Sequence, residues 1–171
     1  MKKITLLFMF IGMITLQSCT VNEDTDNFDN DTISEVWEYN QNVNFIPNNN
    51  FSVLLPFQHS IFPSDMVLVY RLSDFDNGND VWKLMPETYY FADGTLDFGY
   101  TNDFTQNNAL VQMIGNDLLS LPADLRLNQV IRIVVVPGFF GNKGTEIDFS
   151  NYDETIEKLG LTNKPIKKIS L

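Results

Sequence analysis

Cysteine and histidine are nearly missing from this sequence. Its 171 residues include one of each, Cys19 and His59. A single cysteine cannot form a disulfide within the chain, so the fold has to be stabilised by packing. A catalytic triad would have to use His59, and one histidine with carboxylates makes a poor ligand set for zinc. We therefore predict no enzymatic activity, no cofactor and no firm metal site, with a structural role for His59.

Basic residues are scarce as well. The chain has 11 Lys and Arg residues against 22 Asp and Glu residues, a formal net charge of −11. Recognition of phosphate depends on Lys and Arg, so this balance argues against a nucleic-acid partner. It also argues against binding of the folded domain to an anionic lipid surface. The glycine-rich residues 138–145 match neither the P-loop nor the dinucleotide-binding spacing, and they are predicted to form a flexible loop.

The N-terminus has the features of an export signal. Two lysines precede an apolar run at residues 4–16, and these 13 residues are too few for a spanning helix of roughly 20. Leu16-Gln17-Ser18-Cys19 then resembles a bacterial lipobox. The resemblance implies cleavage between Ser18 and Cys19 and lipidation of the Cys19 thiol, so residues 1–18 are predicted to be a lipoprotein signal peptide. The membrane is thus an expected partner, through this lipid anchor only.

An acidic tether, residues 19–33, is predicted to follow. Processing would leave 9 basic and 22 acidic residues, a formal charge of −13. Acidic residues behind a lipobox cysteine, here Glu23, Asp24 and Asp26, are similar to the signal that sends Bacteroidota lipoproteins to the outer face of the outer membrane. We therefore expect a lipid-anchored outer-membrane protein at the cell surface, with an anchor facing the periplasm as the alternative. Asp31-Thr32-Ile33 resembles the O-glycosylation sequon of such proteins, which makes Thr32 a candidate site, with a bare linker as the alternative.

Residues 34–171 are predicted to form one β domain. Short apolar segments rich in Val, Ile, Phe, Tyr and Trp alternate with Asn, Asp, Gly and Pro, a pattern typical of strands and turns. Asn77-Gly78 and Asp93-Gly94 are strong hairpin signals. The pattern favours an all-β, antiparallel sandwich, either Ig-like or jelly-roll-like. Predicted strands cover residues 36–45, 52–55, 66–72, 81–85, 88–91, 96–100, 109–114 and 130–136.

The C-terminal part carries the one predicted helix. Ser150 is expected to cap it, with Asp153 completing a capping box and Gly160 ending it. The apolar run at residues 130–136 fits a central strand, and Arg132 within it should reach a sheet edge or a paired carboxylate. The tail at residues 164–171 is predicted to be a final strand or a docked extended segment.

Two clusters have to be weighed as binding sites. Asp74, Asp76 and Asp80 resemble the start of a calcium loop, but Gly78, Asn79 and Met85 stand where an EF-hand needs other residues. A turn is the favoured interpretation, with a weak surface Ca²⁺ site as the alternative.

Aromatic residues near Asp and Asn also raise the possibility of a platform on which sugar rings stack, although aromatic residues on strands usually belong to the core. The ring set comprises Trp37, Tyr39, Trp82, Tyr89, Tyr90, Phe91 and Tyr100.

The domain resembles a group of small Bacteroidota lipoproteins that have no established activity. The resemblance rests on the segments at residues 64–72, 80–100 and 128–140 and on the closing KKISL. Some of that group carry a collagen-like stretch after the cysteine, and this chain does not, so a monomer is expected rather than a trimer. The resemblance implies no catalytic residues. The predicted role is non-catalytic, either binding or structural and accessory to an outer-membrane complex, with a carbohydrate-binding module as the alternative.

Overall fold

Nine strands form two sheets in the part of the chain that the computed structural model describes, residues 33–142 and 147–171. Sheet A has the order β4-β3-β8-β1-β9 and sheet B the order β2-β7-β6-β5. The predicted all-β sandwich is confirmed. The strands are β1 (Glu35–Tyr39), β2 (Ser52–Pro56), β3 (Met66–Asp76), β4 (Asn79–Leu84), β5 (Glu87–Tyr90), β6 (Leu96–Phe104), β7 (Asn108–Gly115), β8 (Ile131–Val136) and β9 (Lys167–Ile169).

Long-range pairing joins the two ends of the domain. β1 pairs antiparallel with β8, with Trp37 opposite Ile133, and β3 pairs with the other side of β8. The tail forms β9, which lies parallel to β1 and places Lys167 opposite Trp37. The tail therefore forms a final strand, one of its two predicted structures. β1–β9 is a parallel pair in a fold whose other described strand pairs are antiparallel.

The inner faces of the two sheets meet in the main hydrophobic core. Successive side chains of a strand point to opposite faces of its sheet. Alternate residues of β1, β3 and β8 therefore pack against alternate residues of β6 and β7. Sheet A contributes Trp37, Tyr39 and Ile133, all fully buried, and sheet B contributes Tyr100 and Val111, also fully buried. At about 25 cal/mol per Å² of apolar surface, this layer supplies much of the stability of the sandwich.

A second core lies on the outer face of sheet A. The C-terminal helix α2 (Tyr152–Lys158) and its flanks cover that face, following a four-residue helix α1 (Ala123–Arg126) that joins β7 to β8. Leu159 and Leu161 of the covering segment are about 95% buried. They belong to a cluster with Val36, Leu68, Tyr70, Val134 and Val136 of sheet A. The molecule therefore has three layers: sheet B, sheet A and the C-terminal segment.

Both predicted hairpins are present. Asn77 and Gly78 adopt φ values of 49° and 90°, as the tightest hairpin turns require, and join β3 to β4. Gly94 adopts a φ of 84° between β5 and β6, where the Phe91 amide donates to the Thr95 carbonyl oxygen. The chain passes from sheet A to sheet B at Met85-Pro86, between β4 and β5.

Several local predictions were wrong. The first strand ends at Tyr39 instead of residue 45, although Val43 and Phe45 are fully buried in the loop that follows. The glycine-rich stretch begins with a 3₁₀ turn, Gly138–Asn142, rather than a flexible loop, and residues 143–146 lie outside the described residues. The four-residue α1 was not predicted.

The cap of α2 is also different from the prediction. Asn151 is the N-cap, and its side-chain oxygen accepts a hydrogen bond from the Glu154 amide at 3.2 Å. The Ser150 hydroxyl instead donates to Asp148 Oδ1 at 2.6 Å, so the predicted Ser150–Asp153 capping box does not form. The predicted end is confirmed, because Gly160 has a φ of 68° and the Leu161 amide donates to the Ile156 carbonyl oxygen.

Candidate functional site

The predicted anchor and export residues lie outside the described residues. These are Ser18, Cys19, Glu23, Asp24, Asp26 and Thr32. Ile33, the next residue, is the first that the structure describes and lies just before β1. The signal peptide, lipidation, tether and glycosylation predictions therefore stay predictions.

The predicted aromatic platform is divided between the interior and the surface. Trp37, Tyr39 and Tyr100 are fully buried between the sheets, so they cannot stack on a sugar. Trp82 and Tyr89 are half-buried, whereas Tyr90 and Phe91 are 62% and 54% exposed. Tyr89 is stacked on Phe98 with ring centroids 4.5 Å apart, so Trp82, Tyr90 and Phe91 are the rings of this set with accessible surface for a ligand.

The buried tyrosines act as hydrogen-bond donors to the backbone. Tyr39 donates to the Pro56 carbonyl oxygen at 2.6 Å, Tyr70 to that of Phe149 at 2.7 Å and Tyr100 to that of Leu125 at 2.5 Å. Burial raises the pKa of Tyr70 and of Tyr100 to about 12, and it also raises the pKa of Tyr39. These hydroxyls stay protonated at neutral pH and fasten loops to the sandwich.

A buried ion pair crosses the main core. Arg71 of β3 is 3% exposed and its Nε donates to Glu87 Oε1 of β5 at 2.5 Å. The guanidinium also lies 4.4 Å from the Tyr100 ring centroid. Burial alone would lower the pKa of Arg71, but its hydrogen bond to Glu87 and its electrostatic interactions with Tyr100, Glu87 and Tyr89 together outweigh burial and raise the pKa, so the guanidinium stays charged. Sequence reasoning missed this pair, although a charge within an apolar run was the signal that singled out Arg132.

Arg132 lies on the outer face of sheet A, beneath the C-terminal segment. Its Nη2 lies 2.9 Å from Glu38 Oε2, which confirms the predicted paired carboxylate. Its Nη1 donates to the Tyr152 hydroxyl at 2.8 Å, and its guanidinium carbon lies 4.0 Å from the Trp82 ring centroid. Arg132 thereby fixes Trp82 of β4 and Tyr152 of α2 next to each other, with ring centroids 5.4 Å apart.

These two rings belong to a surface cleft of about 330 Å³. Small-molecule sites have volumes of about 300–1,000 Å³ and combine apolar walls with a few polar groups. The volume of the cleft falls in that range, but its lining is mostly polar, with two half-buried rings beside carboxylates and amide or hydroxyl groups. It is lined by Asp80, Val81, Trp82, Ser150, Asn151, Tyr152 and Asp153.

The three candidate calcium ligands do not converge. Asp74 Oδ1 accepts a hydrogen bond from the Phe75 amide at 2.7 Å, and Asp76 lies opposite Asn79 in the hairpin. Asp80 faces the cleft, with Oδ2 3.9 Å from Arg132 Nη2. No group of three or more His, Cys, Asp or Glu residues that could hold a metal occurs in residues 33–142 and 147–171.

No helix or strand of the described residues covers the outer face of sheet B, whereas α2 and its flanks cover the outer face of sheet A. Leu54 and Ile114 are 54% and 37% exposed there. By strand alternation and register, we define the open face as Ser52, Leu54, Thr88, Asp97, Gly99, Thr101, Asp103, Leu110, Gln112 and Ile114. Its two charges, Asp97 and Asp103, lie towards opposite ends of β6, so the centre of this face is uncharged.

Glu35 marks the point where the chain enters the domain. Its Oε2 accepts from Lys167 Nζ at 2.7 Å and from Trp37 Nε1 at 3.0 Å, and its Oε1 lies 3.1 Å from His59 Nε2. His59 Nδ1 lies 3.1 Å from the Ser60 carbonyl oxygen, so the ring can donate both bonds at once only when it is protonated. Partial burial would raise the pKa of Glu35, but the bonds from Lys167, His59 and Trp37 outweigh it and the pKa is lowered.

Comparison with known proteins adds no family. No protein-family model, curated protein or solved structure matches this chain. Among the described residues, no helix has the length and apolar character needed to cross a membrane.

Proposed function

We propose that this chain is a lipid-anchored lipoprotein at the cell surface whose β-sandwich has a binding, non-catalytic role as an accessory to an outer-membrane complex. The observation that carries the proposal is the motif Leu16-Gln17-Ser18-Cys19, placed 14 residues before Ile33. An anchor at Cys19 would keep the domain at the membrane surface while the acidic tether separates the two. The single histidine and the anchoring role of Cys19 support a role without catalysis.

The open face is the surface we propose for the partner. Interface centres are poor in charge, and the middle of the open face carries no charge in a chain that has twice as many acidic as basic residues. Leu54 and Leu110 are cross-strand neighbours with Asp103 opposite Leu110, and Ile114 lies at the other end of β7, opposite Gly99. The centre between them is polar but uncharged, since Ser52, Gln112 and Thr101 form its row. The fitting partner is another envelope protein with apolar groups for these leucines and a basic residue facing Asp103.

Lipidation is tested by the mass of the processed protein. Wild type is expected to carry the mass of a diacylglyceryl group on residues 19–171, and Cys19→Ala is expected to remain unprocessed and unlipidated. Protease added to intact cells should then release the domain of wild type. A wild-type mass without added lipid would refute the anchor, and full protection in intact cells would refute the surface location.

The open face is tested by charge substitution. Leu54→Asp should abolish co-purification of the partner with the tagged protein from detergent-solubilised envelopes. Phe75→Asp, at a 66% exposed position on the β3–β4 hairpin, is the matched control and should retain the partner. Equal recovery with both variants would show that the open face is not the binding surface.

The cleft favours carbohydrate binding as a second candidate function. Trp82 and Tyr152 supply ring surface for the C–H groups of a sugar, and Asp80 and Asp153 supply acceptors for its hydroxyls. Since Trp37 is fully buried, a sugar in the cleft should change the fluorescence of Trp82 alone. Asp153→Ala should weaken that response to outer-membrane glycans, while Asp117→Ala, outside the cleft, should not. A response that is unchanged in Asp153→Ala would exclude the cleft as the glycan site.

A further inference from the structure

The first residues of β1 have a strand on one side and a gap on the other. β1 pairs with β8 from Glu35 onward, but its pairing with β9 begins only at Trp37. Continuing the β1–β9 register by two positions would place Pro165 opposite Glu35, and proline has no amide N–H to donate to a ladder. Among the described residues, no strand pairs with Glu35 and Val36 on the side away from β8.

A groove of about 220 Å³ lies between the start of β1 and the segment that leads into β9. Side chains from both faces of the chain at β1 line it, since Ile33 and Glu35 have one parity and Ser34 and Val36 the other. The groove therefore follows the edge of the strand. Its opposite wall includes Leu161, which is 4% exposed. Full-sized small-molecule sites begin at about 300 Å³, so this volume suits the end of a chain.

The groove also holds an ammonium group that the domain does not neutralise. Lys164 and Lys167 both line it, and Lys167 Nζ lies 2.7 Å from Glu35 Oε2. Lys164 is exposed and has no ion-pair partner in the part of the chain that the structure describes. The groove is thus locally positive in a chain with a formal charge of −11, and a carboxylate is the complementary group.

Ser34 adds a second polar group without a partner. It lines the groove, is 3% exposed, and its Oγ makes no hydrogen bond to the described residues. A buried hydroxyl without a partner is costly, so a ligand that supplies an acceptor here gains free energy.

We propose that this groove binds the carboxyl-terminal end of an extended peptide from another protein. The terminal carboxylate pairs with Lys164, the last side chain packs against Val36 and Leu161, and the peptide backbone adds to the free edge of β1. Addition of a strand to a sheet edge and capture of a C-terminal carboxylate are both recurring modes of peptide recognition. The inference goes beyond the proposed function, since these residues do not belong to the open face.

Fluorescence anisotropy with short labelled peptides and the purified protein in neutral detergent tests the site. A peptide that ends in two valines with a free carboxylate should bind. The same peptide with a C-terminal amide should bind at least about ten-fold more weakly, because it lacks the charged partner for Lys164. Equal affinities, or no binding of the free acid, would overturn the proposal.

Substitution of the lysine identifies the contact. Lys164→Met should weaken binding of the free-acid peptide at least about ten-fold and leave that of the amide unchanged. The unfolding midpoint should stay that of wild type, because Lys164 is exposed. Lys83→Met is the matched control, an exposed lysine of β4 at the opposite edge of sheet A from β9, and should bind as wild type does. Free-acid affinity that survives Lys164→Met would overturn the proposal.

Hydrogen exchange distinguishes a bound peptide from a small carboxylic acid. Strand addition should slow amide exchange within residues 33–36 when the free-acid peptide is bound. Isovalerate has a carboxylate and an apolar group but no peptide backbone, so it should bind more weakly and leave that exchange unchanged. Isovalerate that binds as tightly as the peptide, or a bound peptide that does not slow exchange in residues 33–36, would overturn the proposal.

Discussion

The two outer faces of the sandwich differ sharply in what lies on them. On sheet A, the C-terminal segment buries Val134, Leu159 and Leu161 almost completely. On sheet B, Leu54 and Ile114 occupy comparable outward positions but remain 54% and 37% exposed. Both faces carry aliphatic residues, so residue type alone does not distinguish them. The difference is that the chain supplies its own cover for one face only.

This difference separates stability from recognition. Apolar residues under the C-terminal segment gain the full free energy of burial, so substitutions there should destabilise the fold. Apolar residues on the open face are less buried, so the same substitutions there should have little effect on stability. Stability measurements can therefore distinguish the two faces before any partner is known.

The largest expected effect comes from the ion pair that holds sheet B to sheet A. Glu87→Ala would leave the buried Arg71 guanidinium without its carboxylate and should reduce the free energy of unfolding by about 3–5 kcal/mol. Because Glu87 lies on β5, amide exchange should increase first in sheet B. Urea unfolding and hydrogen exchange measure the two effects.

A double substitution provides the control. Arg71→Met with Glu87→Met removes both charges and should recover most of the loss, since a well-packed apolar pair often replaces a buried ion pair without cost. A double variant as unstable as Glu87→Ala would show that the interaction itself, rather than an unpaired charge, is what the fold requires.

A matched pair of leucines tests the comparison directly. Leu159→Ala, at a position 5% exposed, should cost about 2–4 kcal/mol, because a buried leucine is lost and a cavity remains. Leu54→Ala, on the open face, should cost less than about 0.5 kcal/mol. Urea unfolding of the two variants gives the comparison. Similar losses would mean that the open face is as important to the monomer as the covered one.

Removal of the N-cap side chain of α2 should reduce stability by a smaller amount, and the change should be confined to the covered face of sheet A. Asn151→Ala removes the acceptor for the Glu154 amide and should cost about 1 kcal/mol. Ser150→Ala should cost less than about 0.5 kcal/mol, because its hydroxyl binds Asp148 and not the helix. Thermal unfolding of both variants measures the difference, and a larger loss in Ser150→Ala would restore Ser150 as the cap.

Features that depend on neighbouring residues were predictable from the sequence. The strands and the Asn77-Gly78 turn follow from β-branched runs and backbone preference, and all except the first strand formed within a few residues of their predicted places. The end of β1 was not predictable, because Val43 and Phe45 keep the burial of a strand where no partner strand is available. Burial and strand pairing usually coincide, and here they separate.

Features that depend on distant partners were largely beyond the sequence. Arg132 could be assigned a carboxylate in general, but Glu38 is 94 positions away and no pattern connects the two. The same holds for Glu35 and Lys167, 132 positions apart. The cleft was half predicted: Trp82 and Asp80 were named as candidates, whereas Tyr152 was not, because only the fold brings α2 next to β4.

The smallest expected effect is the loss of stability at acidic pH that comes from Glu35, at the entry of the domain. It involves neither the covered face of sheet A nor the open face of sheet B. The pKa of Glu35 is lowered from its ordinary value of 4.5, so its carboxylate contributes stability above that value and loses it as the pH falls through the folded-state pKa. Since the group is partly exposed and screened, the contribution is limited to about 0.2–1 kcal/mol. Urea unfolding of wild type at neutral and acidic pH, compared with Glu35→Gln, separates the contribution of Glu35 from that of the other carboxylates.

Lys167→Met should reduce the difference between the free energies of unfolding at the two pH values, because it removes the strongest bond that favours the charged form of Glu35. A wild type whose acid dependence equals that of Glu35→Gln would show that the Glu35 contacts do not stabilise the charged carboxylate.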